Sequence, residues 1–335
     1  MIKATPVDCG DLSPQSTVLR TLLILACAVS WLGLGGSGQA AVTAMILAGD
    51  ETGMPVDTPS AHLDTAGAGS AFAFVGALSI QSGGTGYRGT GSALSPHWVL
   101  TAGHNVDLND DGQVDAGLGI TFHLSGSTQS WTASAFYAHP SFNGFANPTV
   151  LHDLALLYFA DPLPKQSGYA LLGAELGIGT GITLSGYGRS GYGSYGYTTN
   201  SSLSDRRTGE NTIDSLESGT NGLPSLFRYS FTDPSNPTSL GNERESMIGP
   251  GDSGGPLLVQ ENGQWRIAGV NTFTEGYGGR FGDTGGGIVL ASYLDWIYTT
   301  TSIPEPSSTV MMMTAIFAGC QRRRTKIAPA SRRKL

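Results

Sequence analysis

What most restricts the fold of this chain is the way its apolar residues are punctuated. From Ala71 onward, runs that suit a pleated, half-buried surface are cut short by Gly, Ser, Asn and Pro. They cover 72–80, 92–101, 120–124, 131–137 and 154–159, and then, in a second set that begins near Gly181, 226–231, 256–259, 265–273 and 287–290. Short strands between frequent turn signals point to an all-β chain of closed antiparallel sheets rather than to helices. The two sets predict two β-barrels, at about 71–165 and 166–290, within a domain of about 71–300. Composition agrees, since 335 residues with 49 glycines and 13% charged side chains describe a turn-rich β protein.

Chemistry concentrates at Pro250-Gly251-Asp252-Ser253-Gly254-Gly255-Pro256, where glycines around a serine let another backbone approach closely. A serine hydroxyl is a weak nucleophile. It needs a base, a group that orients the base, and donors for the oxyanion. Upstream, one apolar run ends at Thr101-Ala102-Gly103-His104, and another opens at Asp153-Leu154-Ala155-Leu156-Leu157. The order His104, Asp153, Ser253, at intervals of 49 and 100 residues, differs from that of the α/β-hydrolases and of subtilisin. An esterase elbow is excluded as well, because Asp252 precedes the serine and Gly254-Gly255-Pro256 follows it.

Seven stretches in order resemble the trypsin/chymotrypsin-like serine peptidase family over roughly 71–297. G-D-S-G-G-P matches letter for letter, T-A-G-H differs from the family's T-A-A-H at one position, and D-L-A-L-L is similar to D-I-A-L-L. His139-Pro140, Leu184-Ser185-Gly186-Tyr187-Gly188 and Trp265-Arg266-Ile267-Ala268-Gly269-Val270 fall at the expected places, and Tyr293–Ile297 resembles the closing C-terminal helix. The resemblance implies an acyl-enzyme mechanism on peptide bonds. Ser253 would attack, His104 would shuttle the proton, Asp153 would fix the imidazole, and the N–H groups of Gly251 and Ser253 would form the oxyanion hole. It also places Met247, Thr272, Phe273, Thr274 and Gly285 around the specificity pocket. No acid stands where trypsins select Arg or Lys, so small or medium apolar residues before the cut are expected, with Glu243 and Glu245 close enough in sequence to reach in.

In this family Asp252 pairs with a newly exposed N-terminal ammonium. Ile46-Leu47-Ala48-Gly49 is a poor likeness of the family's I-V-G-G start, lies far upstream and follows no Arg or Lys. Activation by a trypsin-like cut is therefore not expected, and Asp252 is expected to bond some other group. His62, His97, His123, His139 and His152 are read as structural. A catalytically silent trypsin-fold binding protein of the cell envelope is the rival class, which an altered triad would favour.

Asp107, Asn109, Asp111, Gln113 and Asp115 repeat the oxygen spacing of an EF-hand loop with Gly112 at the sixth position, but Leu118 takes the place of the bidentate acid. Two readings stay open, a solvated acidic turn and a structural calcium site. No cofactor is needed for the catalysis itself. The Gly, Tyr and Ser stretch over 186–197 reads as a flexible surface loop or, through its tyrosines, as a substrate rim.

The ends carry addresses. Arg20, an apolar run and the small residues up to Ala40 read as an export signal within 1–44, cut by signal peptidase, with a polar lead-in over 45–70. Pro304-Glu305-Pro306, an apolar span and Arg322-Arg323-Arg324 resemble the bacterial PEP-CTERM sorting signal, which implies an exosortase as partner and transient membrane association of the 301–335 tail. The alternative is a simple amphiphilic tail, since Ser307–Gly319 is only 13 residues and a spanning helix needs ~20. The expected location is the envelope, the surface or the medium. Cys9, Cys27 and Cys320 all lie outside the peptidase-like part, which must hold together without a disulfide. Nine basic against 23 acidic side chains between residues 21 and 303 argue against nucleic acid as a partner, while the resemblance implies protein or peptide substrates.

Overall fold

A computed structural model of the protein describes residues 46–145, 150–165, 169–219, 222–276 and 278–302. The export signal and the sorting tail therefore lie outside the described residues.

The first sheet contains β1 (Val75–Ser82), β2 (Thr85–Ser95), β3 (Trp98–Thr101), β4 (Gly119–Leu124), β5 (Ser130–Thr132), β6 (Ala135–Ala138) and β7 (Ala155–Tyr158), in the order β5-β4-β1-β2-β3-β7-β6. Every pairing is antiparallel. Its two edge strands, β5 and β6, are consecutive in the chain, with only Ala133 and Ser134 between them. The sheet must therefore curl until its edges meet, which removes the exposed edges that an open sheet would present.

The second half repeats this device. Its strands are β8 (Leu171–Leu172), β9 (Gly181–Gly186), a hairpin of β10 (Gly191–Tyr192) and β11 (Gly196–Tyr197), β12 (Arg207–Thr212), β13 (Ser215–Ser218), β14 (Pro224–Ser230), β15 (Pro256–Glu261), β16 (Gln264–Glu275) and β17 (Thr284–Val289). The main sheet runs β12-β9-β15-β16-β17-β14-β13, and β8 adds to β16 in parallel. Its edges β12 and β13 are again two residues apart, joined by Ile213 and Asp214. A short helix, α1 (Leu294–Thr301), closes the described chain. The fold is thus all-β with a short C-terminal helix, and among the described residues no helix is long and apolar enough to cross a membrane.

Local chemistry sets the registers. Gly83-Gly84 joins β1 to β2 and Asn262-Gly263 joins β15 to β16, and all four residues have positive φ. That is the two-residue hairpin turn whose twist suits antiparallel strands. Along β4 burial alternates strictly, with Ile120, Phe122 and Leu124 turned inward. The bulge in β16 between Asn271 and Phe273 lets one long strand serve both β15 and β17.

Two segments depart from the sequence reading. The stretch after residue 45 is not a polar lead-in but part of the second barrel. Ile46, Leu47 and Ala48 are fully buried, Leu47 N donates to Met247 O at 2.9 Å, and Ala48 N donates to Gly191 O at 3.0 Å. Further along, buried Asp57 accepts hydrogen bonds from Gly49 N (2.6 Å) and Glu243 N (3.0 Å) and binds His62 Nε2 at 2.9 Å. Few apolar residues do this, so no periodicity betrays it. The Gly, Tyr and Ser stretch is likewise packed rather than loose. Tyr187 is 1% exposed and donates its hydroxyl to Val75 O, and Ser190 and Gly191 are buried.

Candidate active site

β3 delivers the chain into a single 3-10 turn, Gly103–Asn105, which carries His104. Asp153, fully buried just ahead of β7, holds that turn with both oxygens. Oδ1 accepts from the backbone N–H of His104 at 2.8 Å, and Oδ2 faces His104 Nδ1 at 2.7 Å. A carboxylate can only accept, so Nδ1 carries the proton and Nε2 presents a lone pair. Burial pulls the His104 pKa down, but the Asp153 carboxylate, with Asp110 and Asp107 further out, outweighs it and leaves the pKa above the ordinary value. The ring of Phe145 meets the imidazole edge-on at 5.1 Å.

His152, the neighbour of Asp153, points elsewhere. Its backbone is left-handed (φ 64°), and its ring stacks on His139 at 5.2 Å and hydrogen-bonds the Tyr293 hydroxyl. Burial, with the neighbouring His152, drives His139 down to about 4, so that ring is neutral near pH 7.

The Ser253 loop comes from the second barrel and is fastened to the first. Ser253 O accepts from Thr90 N and from Asn105 Nδ2, each at 2.9 Å, and Gly251 O accepts from Thr90 Oγ1 at 2.9 Å. Gly251 has φ 100° and Gly254 has φ 86°, and a Cβ on Gly254 would overlap Thr101 Oγ1. Both positions therefore demand glycine. Asp252 is buried within the loop and accepts from Gly188 N (2.7 Å) and Gly249 N (2.8 Å). Burial lifts its pKa to about 6, with those two N–H groups and the charge of Arg207 pulling the other way. Ser253 and His104 are both partly exposed, so solvent can reach them.

A family profile described as Trypsin matches residues 64–297, about two thirds of the chain. The chain belongs to the trypsin family. Among curated relatives, chymotrypsin-like elastase family member 1 of Bos taurus is 27% identical over 208 residues, which cover 60% of this chain and 74% of that protein. Brachyurin of Leptuca pugilator is 32% identical over 103 residues, 29% of this chain and 43% of that one. A solved structure titled HL collagenase covers 70% of this chain and 95% of its own at a TM-score of 0.51 and 21% identity, a likeness of fold.

The positions expected around the pocket are only partly open. Met247 is fully buried in the second core, where its backbone pairs with Leu47, so it offers no accessible wall. Thr272 and Phe273 are 3% and 6% exposed, and Thr274 is half-buried opposite Gly285. Sequence reading missed Tyr229, whose ring lies against Gly285 across the β14–β17 pair. The signal for it was the run Gly285-Gly286-Gly287, which leaves space that Tyr229, Phe273 and Phe227 fill. Glu245 does not reach in. It is buried, and its carboxylate accepts from Thr232 N and Leu240 N. Glu243 is exposed.

The acidic loop after His104 turns most of its oxygens on itself, with Asp115 Oδ1 buried and outside these bonds. Asp107 accepts from Asp111 N and Gly112 N, Asp111 from Gln113 N, and Asp115 from Leu108 N and Ser82 Oγ. Asn109 Oδ1 accepts from Asp111 N, and among the described residues no three acidic, imidazole or thiol groups converge as a metal site. This arrangement supports the self-capped acidic turn, one of the two readings that the spacing leaves open. Chelation is therefore expected to leave the melting temperature unchanged, and a fall of several degrees with EDTA, reversed by calcium, would contradict this.

Proposed function

We propose that this trypsin-family chain is an exported serine endopeptidase that cleaves peptide bonds through an acyl-enzyme. The observation that carries the reading is the bidentate grip of Asp153 on His104, beside a nucleophile loop fixed by Asn105 of the same turn. In the proposed reaction Nε2 of His104 takes the Ser253 proton during attack on the scissile carbonyl and returns it to the leaving amine, and Asp153 stabilises the imidazolium between these steps. The N–H groups of Gly251 and Ser253 receive the oxyanion. Support for that role is the positive φ of Gly251 and the use of the neighbouring Asp252, Gly254 and Gly255 N–H groups within the protein. The apolar Met247, where an acid would select Arg or Lys, supports small or medium apolar residues before the cut. The leader directs export and the Pro304-Glu305-Pro306 tail directs sorting to the envelope, which makes a signal peptidase and an exosortase its processing partners.

Labelling with a fluorophosphonate tests the reading. Wild type should label while Ser253→Ala and His104→Ala do not. Absence of label on folded wild type, before and after incubation with envelope extract, would favour the silent binding protein.

The raised pKa of His104 fixes the acid limb of the pH profile. The base works only when neutral, so kcat/KM should fall as pH drops through a midpoint above 6.5. Asp110→Asn removes one of the charges that hold the imidazolium, so it should move that midpoint down. An unmoved midpoint would contradict the assignment.

A further inference from the structure

We infer that Asn105 is a positioning residue that sets the nucleophile loop against the base, an inference that rests on the peptidase reading. Asn105 is 3% exposed and follows His104 on the same 3-10 turn. Its amide nitrogen donates one hydrogen to Ser253 O and the other to Thr101 Oγ1, each at 2.9 Å. The orientation is forced from both sides. A carbonyl only accepts, and the Thr101 hydroxyl spends its own proton on Thr90 O at 2.8 Å.

Thr90 completes the clasp, with its N–H on Ser253 O and its hydroxyl on Gly251 O. Both carbonyls flanking Asp252 are thus tied to the first barrel. Two glycines make room for this. Gly254 has no Cβ to strike Thr101, and a Cβ on Gly89 would stand 2.7 Å from Asn105 Nδ2.

The consequence concerns distance rather than charge. The turn that Asp153 grips through His104 grips Ser253 through the next residue, so base and nucleophile share one rigid mount across two barrels. Asn105 is neutral and touches no substrate. Its loss should let the serine drift, and a misplacement of about 1 Å costs on the order of 100-fold in rate. Neither substrate binding nor the basicity of His104 should change.

The test compares wild type with Asn105→Ala and Asn105→Asp, the second of which keeps the shape but has no hydrogen to give. Peptide kinetics should show kcat down by roughly 10- to 100-fold, KM within about twofold, and the acid midpoint unmoved in Asn105→Ala. Fluorophosphonate labelling should slow in parallel. Hydrogen exchange should rise at Asp252, Gly254 and Gly255 and stay unchanged at distant strands. Unchanged kcat in folded Asn105→Ala, or a change in KM alone, would overturn the inference. If wild type fails to label, the peptidase reading falls, and exchange still decides whether the clasp exists, with unaltered protection of the loop sinking it. If Asn105→Ala does not fold, Thr101→Val decides. It strips one anchor from the amide and should give a smaller kcat loss of the same kind, and no kcat loss would count against the clasp.

Discussion

Replacing Asp153 by Asn should lower kcat toward a chromogenic peptide by about 10⁴-fold with little change in KM or fold. The size follows from the two hydrogen bonds that Asp153 accepts. The backbone N–H of His104 requires an acceptor at Oδ1, so the new amide must keep its oxygen there. Its NH₂ is then forced to face Nδ1, where the carboxylate oxygen stood at 2.7 Å. A donor against a donor cannot persist, and the imidazole shifts its proton to Nε2. That nitrogen can then no longer accept from Ser253. Position, burial and shape are all preserved, so the melting temperature should move little, which separates this loss from unfolding. Kinetics with nitrogen NMR of the imidazole would check it. A loss below tenfold, or a ring still protonated at Nδ1, would show that Asp153 does not select the tautomer.

The contrast with Asn105 is one of mechanism. Asp153 governs which nitrogen holds the proton, so its removal changes proton transfer itself, and the deficit should be large and pH-linked. Asn105 governs where the serine stands, so its removal should give a smaller, pH-independent deficit.

Much of this site was readable because its chemistry is written in short contiguous pieces. His104, Asp153 and Ser253 each sit in a stretch whose glycines and apolar runs serve local geometry, such as the φ of 100° at Gly251. The barrels were readable for a similar reason, since a strand such as β4 declares its buried face by alternation within six residues. What stayed hidden depends on pairing at long range. Leu47 owes its burial to Met247, 200 residues later, and nothing around Leu47 announces a strand. Tyr229 met Gly285 only when β14 was laid beside the glycines of β17. Asn105 looked like a bystander of the base because its partner, Ser253 O, belongs to the other barrel. The EF-hand spacing left two readings open for the opposite reason. Oxygens at alternate positions of a tight turn can cap the backbone N–H groups of that turn, as Asp107 and Asp111 do.

The segment before residue 64 gives the largest expected effect on stability. A chain of residues 64–302 holds the whole stretch that matches the trypsin family, yet it should be far less stable than one of residues 46–302. Deletion uncovers the pocket that Ile46 and Leu47 fill, both 0% exposed, and each such side chain is worth about 1.5–3 kcal/mol. It also removes Asp57 and His62, so that Glu243 N loses its acceptor and Ser246, fully buried, loses its ring neighbour. The Pro59 carbonyl that receives Nε of buried Arg207 goes too. The loss of this acceptor from the buried guanidinium adds about 1–3 kcal/mol, while Ser246 keeps Arg244 O and the exposed Glu243 can turn to water. Together these reach roughly 4–9 kcal/mol, comparable to what a whole domain commonly has to spare. The damage should centre on the second barrel, because Met247 and Ile248 of the disturbed core lead directly into Pro250 and the nucleophile loop. Fluorophosphonate reactivity should therefore vanish with the urea transition. Equal urea midpoints for the two chains would mean that the segment only rests on the surface, and the buried pairings of Leu47 and Asp57 would then count for nothing.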